Sequence, residues 1–357
     1  MKDMQENKKV AVAMSGGIDS AVAALLIKQR GYDVRGTTMK LCERILDDGS
    51  DAALADINDA RAICQKLGIE HKVYTLSDEF KSTVIKDFID TYMNGATPNP
   101  CVVCNRLLKF GKLLELELQD GADYIATGHY ANIERDTNGR YLLKKAKDTK
   151  KDQTYVLWSL NQHQLSHTLF PLGRFTKPEI RKIGVDNGFV NAHKSDSQDI
   201  CFIPDGDYAS FIEKELGEKY PCGDYIDENG NILGRHKGMI HYTIGQRKGL
   251  GISMNKHIFV TEKNALNNTV TLADEDRLFK NRVVIRGINL IPFERIDGRM
   301  RVEAKIRYSQ SQSPAFAEQT GDDEITLTFD TPQRAPARGQ SAVMYDGDVV
   351  IGGGIIQ

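Results

Sequence analysis

The sequence has no apolar run that approaches the ~20 residues required to span a bilayer. Its N-terminus, MKDMQENKKV, is polar and lacks the long apolar centre of a secretion signal. Hydrophobic residues make up 40% of the chain and charged residues 27%, a balance that is typical of folded soluble proteins. The sequence therefore predicts a cytoplasmic protein that has no membrane partner.

The chain also lacks an excess of either charge. Its 47 lysines and arginines against 49 aspartates and glutamates give a net charge of -2, so the whole molecule does not attract nucleic acid. An RNA partner would have to bind local basic patches. One candidate is KKAKDTKKDQ, Lys144 to Gln153, which concentrates five lysines near a turn. Charge alone fits a phosphate-binding surface or a solvated hairpin face equally well.

Six cysteines are too thinly spread over 357 residues to form the dense disulfide framework of a small secreted scaffold. Because cytosolic thiols normally stay reduced, any disulfide here is expected to be transient. Cys64 lies on the apolar stripe of a predicted helix, and we expect it to be a core residue. Cys42 and Cys222 have no thiol or histidine at ligand spacing, and we predict no chemical role for them.

Cys101 and Cys104 are one turn apart in TPNPCVVCNR, which the sequence predicts to be a proline-rich loop with solvent-facing side chains. Paired thiols at this spacing can hold a metal, form a disulfide switch or leave one sulfur as a nucleophile. A structural zinc site would require a second pair or histidines, and the chain has no other CxxC. Cys201, in KSDSQDICFIPDGD, is also predicted to be incompletely packed, because Asp196, Asp199 and a Pro-Asp-Gly turn surround it.

Short apolar strands alternate with helical periods in the first half of the chain, as in KKVAVAM, SAVAALLIKQRG and DVRGTTMKL. This βαβα order predicts an α/β domain with a mostly parallel sheet, whose ligands bind beyond the carboxyl ends of the strands. After about Pro204, glycine-rich segments and alternating runs such as RVEAKIRY predict a small barrel or sandwich. We predict domain boundaries near 205 and 275, which give the segments 1–205, 206–275 and 276–357.

The segment MSGGIDS, Met14 to Ser20, directly follows the first predicted strand and opens the first helix. Gly16 and Gly17 allow a tight turn, and the N-H groups at the start of a helix form an anion site that suits phosphate. The lysine of a Walker loop and the three spaced glycines of a dinucleotide fingerprint are absent. The alternative is a turn in which Ser15 and Asp19 merely cap a helix. SGGxDS resembles the loop of the ATP pyrophosphatases, which cleave ATP between its α- and β-phosphates.

A longer series of motifs, read in order, resembles one family. MSGGIDS, TPNPCVVCN, DYIATGHY, KDQTYVLW, DSQDICF, HYTIGQRKGLGI, GQSAV and a closing GGGII follow the order seen in the tRNA-specific 2-thiouridylases of the MnmA type, from about residue 9 to the C-terminus. The resemblance implies an N-terminal ATP-pyrophosphatase (PP-loop, Rossmann-like) domain, a small central connecting domain and a C-terminal β-barrel that contacts tRNA.

The resemblance also implies an activity, tRNA-uridine 2-sulfurtransferase. ATP adenylates the 2-position oxygen of a wobble uridine, sulfur from a persulfide replaces it, and AMP and pyrophosphate are released. The implied partners are tRNAs with a wobble uridine, of the Lys, Glu and Gln types, and upstream persulfide or sulfur-carrier proteins. A persulfide held on one cysteine is released by a second thiol through disulfide exchange. By motif, Cys201 would carry the persulfide and Cys104 would attack it.

Binding residues are likewise carried over from the family by motif. The implied ATP contacts are Ala13, Met14, Ser15, Gly16, Gly17, Ile18, Asp19, Ser20, Met39 and Gly128, with Mg²⁺ between Asp19 and the phosphates. The implied tRNA contacts are Asn99, Pro100, Cys101, His129, Lys151, Asp152, Gln153, Arg307, Tyr308 and Gln340.

Cys101 complicates this carry-over, because some relatives have aspartate at that position. With Cys104 and Cys201, Cys101 could instead ligate a 4Fe-4S cluster whose fourth iron binds sulfide. Direct persulfide transfer is our first hypothesis, and no structural metal site is predicted. Two other functions stay open: a PP-loop synthetase that forms amides or esters, and a nucleotide sensor that only holds ATP.

Overall fold

The computed structural model of the 357-residue chain describes residues 8–44, 49, 51–189, 191, 200–252 and 257–357. The chain forms two compact units. Unit 1 comprises the described residues of Met1–Val84, Cys101–Gln198 and Gly347–Ile351, and unit 2 those of Ile85–Pro100, Asp199–Asp346 and Gly352–Gln357.

The elements of the first half alternate as the sequence predicts. In chain order they are β1 (Lys9–Ala13), α1 (Ile18–Gln29), β2 (Asp33–Lys40), α2 (Ala52–Leu67), β3 (Glu70–Thr75), α3 (Ser77–Phe80), α4 (Lys86–Met93), α5 (Pro100–Cys104), α6 (Leu113–Gln119), β4 (Tyr124–Ala126), β5 (Asn132–Arg135), β6 (Tyr141–Lys144), α7 (Gln162–Ser166), β7 (Thr168–Leu169) and α8 (Lys177–Asp186).

The second half consists mainly of strands. Its elements are α9 (Tyr208–Leu216), β8 (Gly223–Ile226), β9 (Ile232–His236), β10 (Phe259–Asn264), β11 (Thr269–Ala273), β12 (Phe279–Leu290), β13 (Arg299–Lys305), β14 (Ser313–Gly321), β15 (Glu324–Arg334), β16 (Ser341–Asp346) and β17 (Val349–Ile356). None of the described helices is long and apolar enough to cross a bilayer.

Unit 1 is built on a parallel sheet with the strand order β3-β2-β1-β4-β7. The predicted α/β fold is therefore confirmed. Because all these strands run the same way, the loops after β1, β2 and β4 lie at one edge of the sheet. Cys64 of α2 is fully buried beneath β2, where a Cβ on Gly36 would lie 2.3 Å from its Sγ atom. Cys64 is thus the core residue that its apolar stripe predicts.

The helix boundaries of unit 1 follow local sequence signals. α2 ends at Gly68, which takes a left-handed conformation with φ of 61°. α8 begins at a capping box in which Thr176 and Glu179 exchange hydrogen bonds, as the motif TKPE predicts. Lys177 is the first residue of that helix.

The predicted loop around Cys101 and Cys104 is wrong, because both cysteines lie on α5. Pro100 occupies the first position of the helix, where its fixed φ is favourable and its missing N-H group is not needed. The helix continues through a π-helical segment, Asn105–Lys112, into α6. Pro100, one of the two prolines that suggested a loop, instead starts a helix whose apolar side is buried through Val102, Leu108, Phe110 and Leu113.

Unit 2 contains two β structures. The strand order β10-β11-β8-β9 forms one sheet, in which only the β11–β8 pair is parallel. Among the described residues, β12-β15-β14-β13-β16-β17 form a six-stranded barrel that closes where β12 pairs with β17. The alternating runs after Pro204 predict such a barrel, and this expectation is confirmed.

Candidate nucleotide and thiol sites

The loop between β1 and α1 has a shape that only glycine allows at Gly16. Its φ of 73° is in the left-handed region, and a Cβ there would lie 2.6 Å from the carbonyl oxygen of Asp56. Gly17 is the N-cap of α1 and leaves the helix without a side-chain cap. Neither Ser15 nor Asp19 caps the helix, so the alternative that the motif is only a cap is wrong. The first N-H groups of α1 are available to an anion.

Neighbouring strands bring the other predicted nucleotide contacts to this loop. A Cβ on Gly128, just beyond β4, would lie 2.8 Å from the backbone nitrogen of Ser20. The Thr38 hydroxyl at the end of β2 donates to the carbonyl oxygen of Met14 at 2.9 Å, and half-buried Met39 follows it. The Ser20 hydroxyl accepts from the Ser15 N-H group at 3.2 Å and thereby folds the loop back on α1.

Asp19 is held by two residues that sequence reasoning missed. Both carboxylate oxygens are 2.8 Å from the Nζ atom of Lys177, and the Tyr130 hydroxyl donates to Oδ1 at 2.8 Å. Lys177 is only 6% exposed. The motif TKPE places this lysine at the start of α8, but nothing in the sequence indicates that its ammonium reaches α1. The ammonium of Lys177 therefore competes for Asp19 with the Mg²⁺ ion that the sequence predicts there.

A third missed residue, Asn191, supports the glycine loop from behind. Its side-chain amide donates to the Gly16 carbonyl at 2.7 Å, and the residue is 4% exposed. The sequence offers no periodic or motif signal for this contact, because it joins residues far apart in the chain.

The two thiols of α5 share one electrostatic environment. Cys101 is exposed and Cys104 is half-buried. Desolvation by surrounding protein raises the pKa of both thiols, and the charge of Lys109 opposes this rise. Buried Asn105 positions that lysine: its Oδ1 accepts from Lys109 at 3.1 Å, and its amide nitrogen donates to the Val156 carbonyl at 2.9 Å.

His129 lies in the same unit, in a setting that keeps it neutral. Its Nδ1 atom is 2.7 Å from the Thr127 hydroxyl, and its ring centroid is 5.8 Å from Phe110 and 5.9 Å from Phe170. Burial holds its pKa well below the usual range for histidine, and the charge of Lys109 lowers the pKa further. A neutral imidazole can form a hydrogen bond to RNA but does not supply a positive charge to phosphate.

Cys201 belongs to unit 2 and is exposed. The next residue, Phe202, is 8% exposed and packs with ring centroids 5.4 Å from Phe88 and 5.3 Å from Phe211. The aromatic contact anchors the chain directly after the thiol. The predicted neighbours Asp196 and Asp199 lie outside the described residues.

Several predicted tRNA contacts form hydrogen bonds within unit 1. Asp152 accepts from the Ala146 N-H group at 2.9 Å, and Gln153 accepts from the Tyr130 N-H group at 2.9 Å. Lysines of the basic segment, residues 144–153, also form ion pairs. Lys144 pairs with Glu134 and Asp348 at 3.0 and 3.1 Å, and Lys147 pairs with Glu179 at 3.0 Å. Lys151 is half-buried. The segment is thus less positive than its composition suggests.

The predicted tRNA contacts of unit 2 lie on the barrel and around the start of α5. Tyr308 is 46% exposed, whereas Arg307 donates to the Ala335 carbonyl at 2.5 Å. Asn99 is half-buried and Pro100 is buried. Gln340 donates to two carbonyls of its own chain, those of Thr97 and Pro98.

Known proteins with similar sequences match the chain over its whole length. The tRNA-specific 2-thiouridylase MnmA of Clostridioides difficile is 49% identical over 355 residues, which cover 98% of this chain and 98% of the relative. The MnmA of Clostridium acetobutylicum is 46% identical over 98% of this chain and 100% of the relative. The chain belongs to the tRNA-specific 2-thiouridylase family.

Family profiles match three successive parts of this 2-thiouridylase-family chain. They are described as a tRNA methyl transferase HUP domain at residues 8–205, a tRNA methyl transferase PRC-barrel domain at 209–274 and an aminomethyltransferase beta-barrel domain at 282–356. A solved structure, the U34-tRNA thiolase NcsA from Methanococcus maripaludis with its 4Fe-4S cluster, is 18% identical with a TM-score of 0.37 over 60% of this chain and 70% of that one.

Within the described ranges, no group of three or more His, Cys, Asp or Glu side chains is arranged to hold a metal ion.

Proposed function

We propose that this protein uses ATP to activate the 2-position oxygen of a wobble uridine in tRNA and replaces that oxygen with persulfide sulfur. Its family consists of ATP-using tRNA-uridine 2-sulfurtransferases, and the chain is a member of it over its full length. The observation that carries the proposal is that this family member has both an uncapped glycine loop and an accessible thiol helix.

ATP is proposed to bind along Ala13–Ser20, with Met39 and Gly128 beside the adenosine. The glycine loop directs N-H groups and the positive end of the α1 dipole toward a phosphate. The ammonium of buried Lys177 lies next to this loop and compensates the charge of the Asp19 carboxylate, which would otherwise repel a phosphate. Asp19 is a poor candidate for a Mg²⁺ ligand, because Lys177 already contacts both of its oxygens, and we derive no step through the metal.

The proposed chemistry proceeds in two stages. The uridine oxygen attacks the α-phosphorus of ATP, and pyrophosphate leaves. Separately, a persulfide carrier transfers its outer sulfur to Cys201 and keeps a thiol. The Cys104 thiolate then attacks the inner sulfur of that persulfide and expels hydrosulfide, which adds to C2 and loses its proton as AMP leaves with the oxygen. An external dithiol must reduce the resulting Cys104–Cys201 disulfide before the next cycle.

The proposed partners are those that the family resemblance implies. They are tRNAs of the Lys, Glu and Gln types, bound through Asn99, Pro100, Cys101, His129, Lys151, Asp152, Gln153, Arg307, Tyr308 and Gln340, and a persulfide carrier in the cytoplasm. The proposed domains span residues 1–205, 206–275 and 276–357.

The test measures 2-thiouridine in tRNA by mass spectrometry after incubation with ATP and a persulfide donor. Cys104→Ser and Cys201→Ser should each reduce thiolation below detection while tRNA-dependent pyrophosphate release persists, because adenylation needs neither thiol. Cys222→Ser removes an exposed thiol that has no proposed role, and it should remain active. Thiolation by Cys201→Ser would exclude the persulfide assignment.

The same assay separates the other functions. Full ATP turnover after alkylation of every cysteine, without thiolation by the untreated protein, would favour a PP-loop synthetase. Absence of pyrophosphate release with every tRNA would favour a nucleotide sensor. Visible iron-sulfur absorption after anaerobic purification, lost together with activity on chelation, would favour a 4Fe-4S cluster on Cys101, Cys104 and Cys201 over direct persulfide transfer.

A further inference from the structure

A turn of the barrel binds the chain segment that leads into the thiol helix. We call residues 337–340 the barrel turn and residues 96–98 the entry segment; both belong to unit 2. The Thr97 N-H group donates to the Arg338 carbonyl at 2.7 Å. The side-chain amide of Gln340 donates to the Thr97 carbonyl at 3.2 Å and to the Pro98 carbonyl at 2.7 Å. α5, with Cys101 and Cys104, begins two residues later at Pro100.

The barrel turn is itself fixed by its neighbours. The Gly339 N-H group donates to the Ile356 carbonyl at 2.9 Å, and the Ile356 N-H group donates to the Gln340 carbonyl at 2.9 Å. Gly339 has a φ of 87°, and a Cβ there would lie 2.8 Å from the Thr97 carbonyl oxygen. The approach of the entry segment to the turn is therefore as close as a glycine permits.

The other side of the entry segment contacts β10. The Nζ atom of Lys263 is 3.5 Å from the Ala96 carbonyl and 5.5 Å from the centroid of the Tyr92 ring. A Cβ on Gly95 would lie 3.1 Å from the Lys263 carbonyl oxygen. The entry segment is thus held between the β10 sheet and the barrel, and Gln340 supplies two of its hydrogen bonds.

We propose that Gln340 is a positioning residue for the thiol helix, acting through Thr97 and Pro98, and that its role is not limited to touching tRNA. If the barrel binds tRNA as the proposed function requires, the same barrel also fixes the position at which the helix carrying Cys104 begins. Loss of the amide donor leaves two carbonyls without their partner and lets the entry segment separate from the turn.

The test compares Gln340→Glu and Gln340→Met, neither of which can donate through an amide, with Gln357→Glu as the matched control. Gln357 makes a comparable amide-to-carbonyl bond, to Ile355 at 2.8 Å, but lies away from the entry segment in sequence. Gly339→Ala tests the same contact independently, because its methyl group would push on the Thr97 carbonyl. The readout is the rate at which iodoacetamide alkylates each cysteine in the RNA-free protein, measured by mass spectrometry.

We expect alkylation of Cys104 to accelerate roughly tenfold in the Gln340 variants, since two hydrogen bonds no longer oppose opening. Gly339→Ala should accelerate it as well, because the added methyl group displaces the Thr97 carbonyl from the turn. Exposed Cys222 and buried Cys64 should react as in the wild type, and Gln357→Glu should change none of these rates. In thiolation assays the Gln340 variants should lower kcat more than they raise the KM for tRNA. Because alkylation needs no RNA, this arm is informative even if the thiolation assay detects no activity.

Two results would overturn the inference. Unchanged Cys104 alkylation together with weaker tRNA binding would make Gln340 only an RNA contact. Acceleration at Cys64 that matches the acceleration at Cys104 in all three variants would mean that the substitutions unfold the protein, because Cys64 reports on the core of unit 1.

Discussion

The reactivity of Cys104 depends on two opposing effects at the level of single residues. Desolvation makes the thiolate costly and raises the pKa of the thiol, whereas the ammonium of Lys109 stabilises the thiolate and limits that rise. Because the thiolate is the nucleophile, the cation sets how much of Cys104 can react near neutral pH. Cys101 experiences the same two effects.

Lys109→Gln should therefore slow alkylation of Cys104. Removing the cation raises the thiol pKa further, so the thiolate fraction at a fixed pH below that pKa falls and the whole pH profile shifts toward higher pH. We expect a roughly two- to tenfold slower reaction at pH 8, equivalent to a shift of up to about one pH unit. Site-resolved alkylation rates between pH 6 and 10 give the measurement.

Lys109→Arg is the matched control for this prediction, because it keeps the charge beside Asn105. Its profile should stay close to that of the wild type. Equal profiles for the glutamine and arginine variants would show that Lys109 acts through packing and that its charge is not the cause.

Sequence motifs name the proposed reactive groups, but they do not name the residues that contact those groups in the fold. The glycines, Asp19 and the paired thiols are adjacent in motifs, and motifs can be read in order along a chain. Lys177 reaches Asp19 from α8, and Gln340 reaches Pro98 from the barrel, so both contacts depend on tertiary packing. No local periodicity carries that information.

At the level of elements, the loop between β1 and α1 depends on backbone conformation. Gly16 has a positive φ, and a Cβ there would meet the backbone of Asp56. Gly17 has a φ of -89°, and a Cβ there would lie 3.4 Å from the Ser15 hydroxyl oxygen, which is an ordinary contact distance. The two glycines are adjacent in sequence, yet only the first is required by sterics. This contrast makes the element testable.

Gly16→Ala should reduce the free energy of unfolding by roughly 1–3 kcal/mol, because the methyl group both strains the backbone and meets the α2 backbone. Gly17→Ala should cost less than about 1 kcal/mol, the usual range for changing an N-cap. Urea unfolding monitored by circular dichroism measures both. Equal losses for the two variants would mean that the loop is not fixed by the φ at Gly16.

The wrong prediction of a loop around Cys101 and Cys104 also has its cause at the level of elements. The two prolines in TPNP are typical of a loop, but a proline is also favourable in the first turn of a helix. The apolar residues that continue the helix lie after the cysteines, on a face whose burial depends on the rest of unit 1. The strands and helices before it were predictable because their periodicity is local and strong.

For the whole molecule, a net charge of -2 means that tRNA affinity has to come from local contacts. In the basic segment, Lys147 is paired with Glu179, whereas no ion pair of the Lys150 side chain is found among the described residues. Lys150 is exposed and stands beside the proposed contact Lys151. Its ammonium can reach a phosphate without first leaving a carboxylate.

Lys150→Gln should lower the slope of log Kd for tRNA against log salt concentration by about 1, as expected when one phosphate contact is lost. Lys147→Gln removes the same charge from the same segment, but its slope should change by less than half as much, because that lysine already neutralises Glu179. Filter binding across a series of salt concentrations measures both slopes. Equal changes would mean that the segment acts through its total charge, so that no single lysine there makes a specific phosphate contact.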